Sequence, residues 1–294
     1  PDAGGALDDF GFMWECPGLV TLTDEATGLE RDVLIWCPQG ARPAGAEGYE
    51  NVFPCVYAVG RLAGTELREC DGTVREVDRG FEFYAPQAFA RRPGEPGPVL
   101  LTGWAGNAGE DDQPSIATGG WVHALTAPRA LSLRDGRLIQ RPAPALPDSA
   151  PALGATGSRP AGAARLGELD GHRSWHLVMD IEELGEGAWV GLRIGDDSCF
   201  VSLCLRRTDA GPQLVVDRSA SRYARHGARR TVGVPAAAAR RLEILHDRSI
   251  TEIFVGDGDL AFTLRSFVAP DSTGAVLVAD GPVRLGPVAA VHFD

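Results

Sequence analysis

The sequence predicts an all-β protein. Short apolar runs recur along the chain, Gly, Pro, Asp and Asn punctuate them, and long helical periodicity is missing. Many short strands of even spacing with turn signals between them suggest a sandwich, a barrel or a propeller.

In the first half, strands are expected at Gly18–Leu22, Val33–Cys37, Phe53–Arg61, Thr73–Val77, Phe83–Phe89, Val99–Trp104, His123–Pro128 and Gly136–Gln140. The composition then shifts. Residues 141–164 read RPAPALPDSAPALGATGSRPAGAA, too rich in Pro, Gly and small residues for a strand or a core helix. We therefore divide the chain into a first domain at 1–142, a linker at 143–164 and a second domain at 165–294. In the second domain, strands are expected at Trp175–Ile181, Trp189–Ile194, Phe200–Arg206, Gln213–Val216, Thr231–Val234, Leu242–Leu245, Thr251–Val255, Ala261–Phe267, Ala275–Val278 and Ala289–Phe293. Polar and apolar residues alternate in several of them, which fits antiparallel strands with one solvated face, hence a β-sandwich.

Composition narrows the partners. The chain has 294 residues and a formal net charge of −12, which argues against nucleic acid and for a neutral or weakly charged ligand. All 28 basic residues are Arg. With the abundant Ala, Gly and Pro, this reads as codon bias, not as guanidinium chemistry. No apolar run reaches membrane-spanning length. The six cysteines, Cys16, Cys37, Cys55, Cys70, Cys199 and Cys204, form no C-x-x-C pair, so no metal site or cofactor is expected. Free thiols in a reducing, cytoplasmic compartment are the expectation.

The sharpest feature is Trp14-Glu15-Cys16-Pro17. It resembles the "WECP" signature of glycoside hydrolase family 32, and further motifs follow in the family's order. Phe83-Tyr84-Ala85-Pro86-Gln87 resembles "DFYAPQ", and Gly103-Trp104-Ala105-Gly106 resembles "GWMG". The run from Gly120 through Trp121 and His123 to Leu131 resembles "GWAHxLTLPREL", and Asp135 to Pro142 resembles "DGRLYQRPV". In the second domain, Asp217-Arg218-Ser219 and His246-Asp247-Arg248-Ser249 resemble the family's two "DRS" segments.

The resemblance implies a five-bladed β-propeller followed by a β-sandwich. Five blades need roughly 200–250 residues. The stretch before the linker is short of that by roughly two blades. The family's "NDPNG", with its nucleophilic Asp, and its "RDP", with a stabilising Asp, lie upstream of "ECP", and neither occurs here. The chain is thus expected to lack the nucleophile-bearing blades and to need an N-terminal segment as a covalent or nicked partner.

By the same resemblance Glu15 is the general acid/base of a retaining β-fructofuranosidase. Such an acid needs a raised pKa, from apolar burial or a nearby carboxylate. Trp14 and Pro17 are expected to supply part of an apolar wall, and the Cys16 thiol to tune it. Tyr84 and Trp104 are expected to line the fructose site, since sugar C–H faces stack on aromatic rings. Propeller geometry predicts that both face one cavity with Glu15. Glu82 stands where the family has Asp, one methylene shorter.

His123 is read as a structural strand residue. Gly109–Pro114 is read as a solvated loop, not a calcium site, because its carboxylates lack alternating ligand spacing. The basic stretch from Arg222 to Arg230 is read as an exposed sandwich loop. Two alternatives stand beside the hydrolase. One is a non-catalytic carbohydrate-binding or assembly protein that has lost the nucleophile. The other is a fructosyltransferase on the same fold.

Overall fold

The computed structural model describes residues 10–41, 51, 53–89, 97–107, 120–143, 153, 155–225, 227–269 and 271–293. The chain divides into two compact units, one of Pro1–Glu110 with His123–Pro144, the other of Asp111–Val122 with Ala145–Asp294.

The first unit holds two antiparallel sheets. The first sheet runs in the order β1 (Met13–Thr23), β2 (Glu30–Gln39), β3 (Val56–Ala63), β4 (Glu66–Arg68), with the short β5 (Arg75–Glu76) also paired to β3. The second runs from β6 (Tyr84–Phe89) through β7 (Val99–Ala105) and β9 (Arg129–Arg134) to β10 (Arg137–Pro142), with β8 (Ala124–Leu125) also on β7. Strands β1 and β6 are each the outermost strand on their side of a sheet. A shortfall of two blades from five would leave three, whereas the described residues build two sheets. The first alone uses residues 13–76, more than the roughly 40–50 of an ordinary blade.

Alternation explains the core between these sheets. Val20 and Leu22 of β1, Val33 and Ile35 of β2, and Tyr57 and Val59 of β3 turn to one side. There they pack with Val99, Leu101, Leu131, Leu133 and Leu138 of the second sheet. The first sheet is apolar on its other face too, where Trp36, Val56 and Ala58 are covered by Phe10, Trp14 and Leu34. A buried pair ties the second sheet together: Arg129, with no exposed surface, donates to Asp78 at 2.9 Å and to Gln140 at 3.0 Å. Its guanidinium lies 4.5 Å from the centre of the Phe83 ring.

Sequence reasoning missed β9. Its inward positions are Arg129, Leu131 and Leu133, and opening that inward register on an arginine hides the alternation. In the turn after it Asp135 and Gly136 both have positive φ, as a two-residue type I′ hairpin requires, so the strand expected from Gly136 begins at Arg137.

The turn between β1 and β2 clasps the second sheet. Asp24 is buried, and its carboxylate accepts from the backbone N–H groups of Ala26, Thr27 and Gly136 at 3.0, 3.1 and 2.8 Å. Glu25 reinforces the clasp with its ion pair to Arg134 at 3.0 Å.

The second unit consists of two six-stranded antiparallel sheets. One contains, in order, β11 (Gly157–Arg159), β22 (Val283–His292), β13 (Ser174–Leu184), β18 (Arg241–Asp247), β19 (Ile250–Val255) and β20 (Leu260–Arg265). The other contains β12 (Gly162–Arg165), β21 (Ala275–Asp280), β14 (Trp189–Gly195), β15 (Phe200–Thr208), β16 (Gly211–Asp217) and β17 (Arg229–Gly233). Buried alternation is clean in the middle strands, as in Val190, Leu192 and Ile194 of β14 or Val201, Leu203 and Leu205 of β15.

Two expectations change here. The stretch 143–164 is not wholly a linker, because β11 and β12 lie at its end and pair into the sheets. Glycines at positive φ, Gly157 and Gly162, begin these two strands, and they made the stretch read as linker. Strand β22 also begins at Val283, six residues before the expected Ala289. Gly286 and Pro287 in its middle hide it as a continuous strand.

In the basic stretch, Arg222, Arg225 and Arg229 are exposed while Tyr223 and Arg230 are buried. The buried Arg218 anchors the loop by donating to the carbonyls of Arg225 and Gly227 at 2.6 and 2.8 Å. His226 and Gly109–Pro114 lie outside the described residues.

Candidate active site

Glu15 and Tyr84 reach one point from two sheets. Each sits on an outermost strand, β1 or β6, and each immediately precedes a break in strand register. The residue after each, Cys16 or Ala85, has a positive φ, 48° and 45°, although neither is glycine, and a proline follows in both cases. Such bulges bend a strand and re-aim a side chain, at a backbone cost of roughly 1–3 kcal/mol at each such residue. Glu-Cys-Pro and Tyr-Ala-Pro are therefore one device used twice. Its outcome is a hydrogen bond from the Tyr84 phenol to Glu15 Oε2 at 2.6 Å.

Trp104 joins this pair from β7. It is the ladder partner of Tyr84, and the two ring centres lie 6.4 Å apart, edge to face. Phe53 packs edge to face with Tyr84 at 5.7 Å. His123, which precedes β8 instead of lying in a strand, sets its ring edge-on to Trp104 at 4.9 Å. Gly106 is required beneath them. A Cβ there would stand 2.2 Å from both His123 Nδ1 and Trp104 Nε1.

The electrostatics differ from expectation. The Tyr84 phenol, and after it the Gln39 side chain, hydrogen-bond to Glu15 and hold its carboxyl below the usual range, against a smaller upward push from burial. A raised value was expected for an acid. The physical reason is that donors face this carboxylate and the expected apolar wall does not. Trp14 lies opposite Pro38 on β2 and points to the other face of the sheet, stacked on Trp36 at 4.6 Å. Its indole N–H donates to the Phe10 carbonyl at 2.9 Å. Burial, then the Glu15 hydrogen bond, pushes the Tyr84 phenol well up, so it stays a proton donor. Burial, then Cys37 and Glu15, pushes the Cys16 thiol up as well. Glu82 is buried two residues before Tyr84. All six cysteines are free thiols. Among the described residues no group of three His, Cys, Asp or Glu is arranged to hold a metal ion.

Gln39 and Cys37 escaped the sequence reading. Cys37 is the ladder partner of Glu15, and Gln39 hydrogen-bonds to both Glu15 and Tyr84. Their only sequence signal is a hairpin register counted back from the Asp24 turn.

Comparison with known proteins gives the family. Residues 2–142 match the family model "Glycosyl hydrolases family 32 N-terminal domain", and residues 174–292 match "Glycosyl hydrolases family 32 C terminal". The chain belongs to glycoside hydrolase family 32. A sucrose-6-phosphate hydrolase of Staphylococcus xylosus is 32% identical over 275 residues, 91% of this chain and 52% of that protein. One from Klebsiella pneumoniae is 33% identical over 267 residues, 89% of this chain and 49% of that protein. The chain thus spans about half the length of these curated relatives.

Among solved structures, a sucrose-6-phosphate hydrolase from Lactobacillus gasseri superposes with a TM-score of 0.75 at 24% identity, covering 98% of this chain and 56% of that one. A Bombyx mori family 32 β-fructofuranosidase in complex with sucrose gives 0.70 at 24%, covering 96% and 55%. The family 32 fold, part of a five-bladed β-propeller followed by a β-sandwich, is the fold of this chain.

Proposed function

We propose that this chain is the acid/base-bearing part of a retaining β-fructofuranosidase that acts on sucrose, a phosphorylated sucrose or a related fructoside. The observation that carries this reading is the Glu15–Tyr84 hydrogen bond, made between two strand ends and flanked by Trp104. The names of the relatives support the substrate class.

In this reading Glu15 gives its proton to the glycosidic oxygen as the fructosyl bond breaks. A second carboxylate attacks the anomeric carbon and forms a covalent fructosyl intermediate. Glu15, now ionised, then takes a proton from the water that releases fructose. The Tyr84 phenol stabilises the ionised form in between, and the aromatic rings hold the sugar and exclude water. The second carboxylate comes from an N-terminal segment with the family's nucleophile motif. Its charge, about 5–5.5 Å away in retaining enzymes, opposes the Tyr84 and Gln39 donors and lifts Glu15 towards the range of an acid.

The test is fructose release from sucrose and from sucrose 6-phosphate. The pure 294-residue chain is expected to release none, and the chain joined to a nucleophile-bearing segment to release it with retention. Release by the chain alone would place the nucleophile within it. Sugar binding without cleavage by the completed protein would favour the non-catalytic alternative.

A further inference from the structure

Gln39 closes β2, just before a turn in which Gly40 takes a φ of 73°. In the β1–β2 ladder Gln39 pairs with Met13, and Cys37 pairs with Glu15. Met13 and Glu15 share one face of β1, so Gln39 stands diagonally across from Glu15 on that face. A long side chain spans such a diagonal. The Gln39 amide hydrogen-bonds to both the Glu15 carboxylate and the Tyr84 phenol.

Donor accounting fixes the direction of every bond in this triangle. A phenol has one proton, and Tyr84 uses it on Glu15. An ionised carboxylate only accepts. The remaining bonds therefore need two donors, and the two N–H bonds of the Gln39 amide supply them, one to each partner.

We propose that Gln39 is a positioning residue for the acid/base: its amide bridges Glu15 and Tyr84 and fixes the plane in which Glu15 gives and takes its proton. The proposal rests on the reading of Glu15 as that group. It explains why the apolar run of β2 ends on an amide on the Glu15 face. It also makes Gln39 and Tyr84 partners, so that loss of either loosens the other.

The experiment is a carbon-13 NMR titration of the Glu15 side-chain carboxyl in the 294-residue chain. Gln39→Met keeps the length of the side chain and removes both donors. The Glu15 pKa is expected to rise. Gln39→Glu keeps the shape and places a like charge beside Glu15, so a larger rise is expected. Folding of each variant is checked by its methyl spectrum, and either variant suffices if the other fails to fold. A Glu15 titration unchanged in a folded variant overturns the proposal. The outcome is independent of turnover, so an error in the functional reading would appear in the fructose assay and leave this titration as stated.

Discussion

Glu15 sits in a ring of donors. The Tyr84 phenol and the Gln39 amide favour its ionised form, which explains why its carboxyl is held low within this chain. Tyr84→Phe removes the larger of these contributions while keeping the ring against Phe53 and Trp104. The Glu15 pKa is expected to rise towards the ordinary carboxylate value, and an NMR titration reads it. A pKa that stays put would mean that the 2.6 Å hydrogen bond does not form in solution. At this scale the family motifs singled out Glu15, Tyr84 and Trp104, and the structure brings the three side chains together. The motifs misplaced Trp14, because neighbours on a strand face opposite ways and a motif read as a string does not show it. Gln39 was hidden because its role exists only once the hairpin register is known.

The elements depend on turns and bulges more than on strand composition. The Asp24 turn is the clearest case, since one carboxylate meets three backbone donors and joins a turn of the first sheet to a turn of the second. Asp24→Ala is expected to cost about 1–3 kcal/mol, because three part-buried backbone N–H groups lose a charged acceptor. Chemical denaturation measures it. Burial pushes the Asp24 carboxyl up, but the N–H groups of Gly136, Thr27 and Ala26 outweigh it, and the folded pKa lies below the ordinary 3.8. The stabilisation is therefore complete above the unfolded value and is lost as pH falls through the folded one. The gap between wild type and variant should accordingly be widest near neutral pH and close in acid. A gap independent of pH would contradict the assignment.

Strands with regular alternation, such as β14 and β15, were legible in the sequence. Those that begin on a buried arginine or a glycine, β9, β11 and β12, were not, because the cue for them is tertiary pairing. The bulges after Glu15 and Tyr84 were equally invisible, since a Cys or an Ala at positive φ contradicts its own local preference.

At the scale of the whole molecule, two units of different character share one chain. The all-β class followed from strand spacing and punctuation, and the propeller followed by a sandwich from the family resemblance. The blade count did not: the described residues of the first unit build two sheets, the first of them spread over more residues than an average blade. The proposed chemistry belongs to the first unit, where the strands that end at the site, β1 and β6, are outermost in their sheets. The central claim is that Glu15 moves the proton. The most direct measurement compares Glu15→Gln with wild type, in the enzyme completed by its nucleophile, on sucrose and on a fructoside whose leaving group needs no proton. The loss on sucrose is expected to be roughly 10²–10⁴-fold. On the activated fructoside it should be far smaller. Equal losses on both substrates would contradict the acid/base role of Glu15.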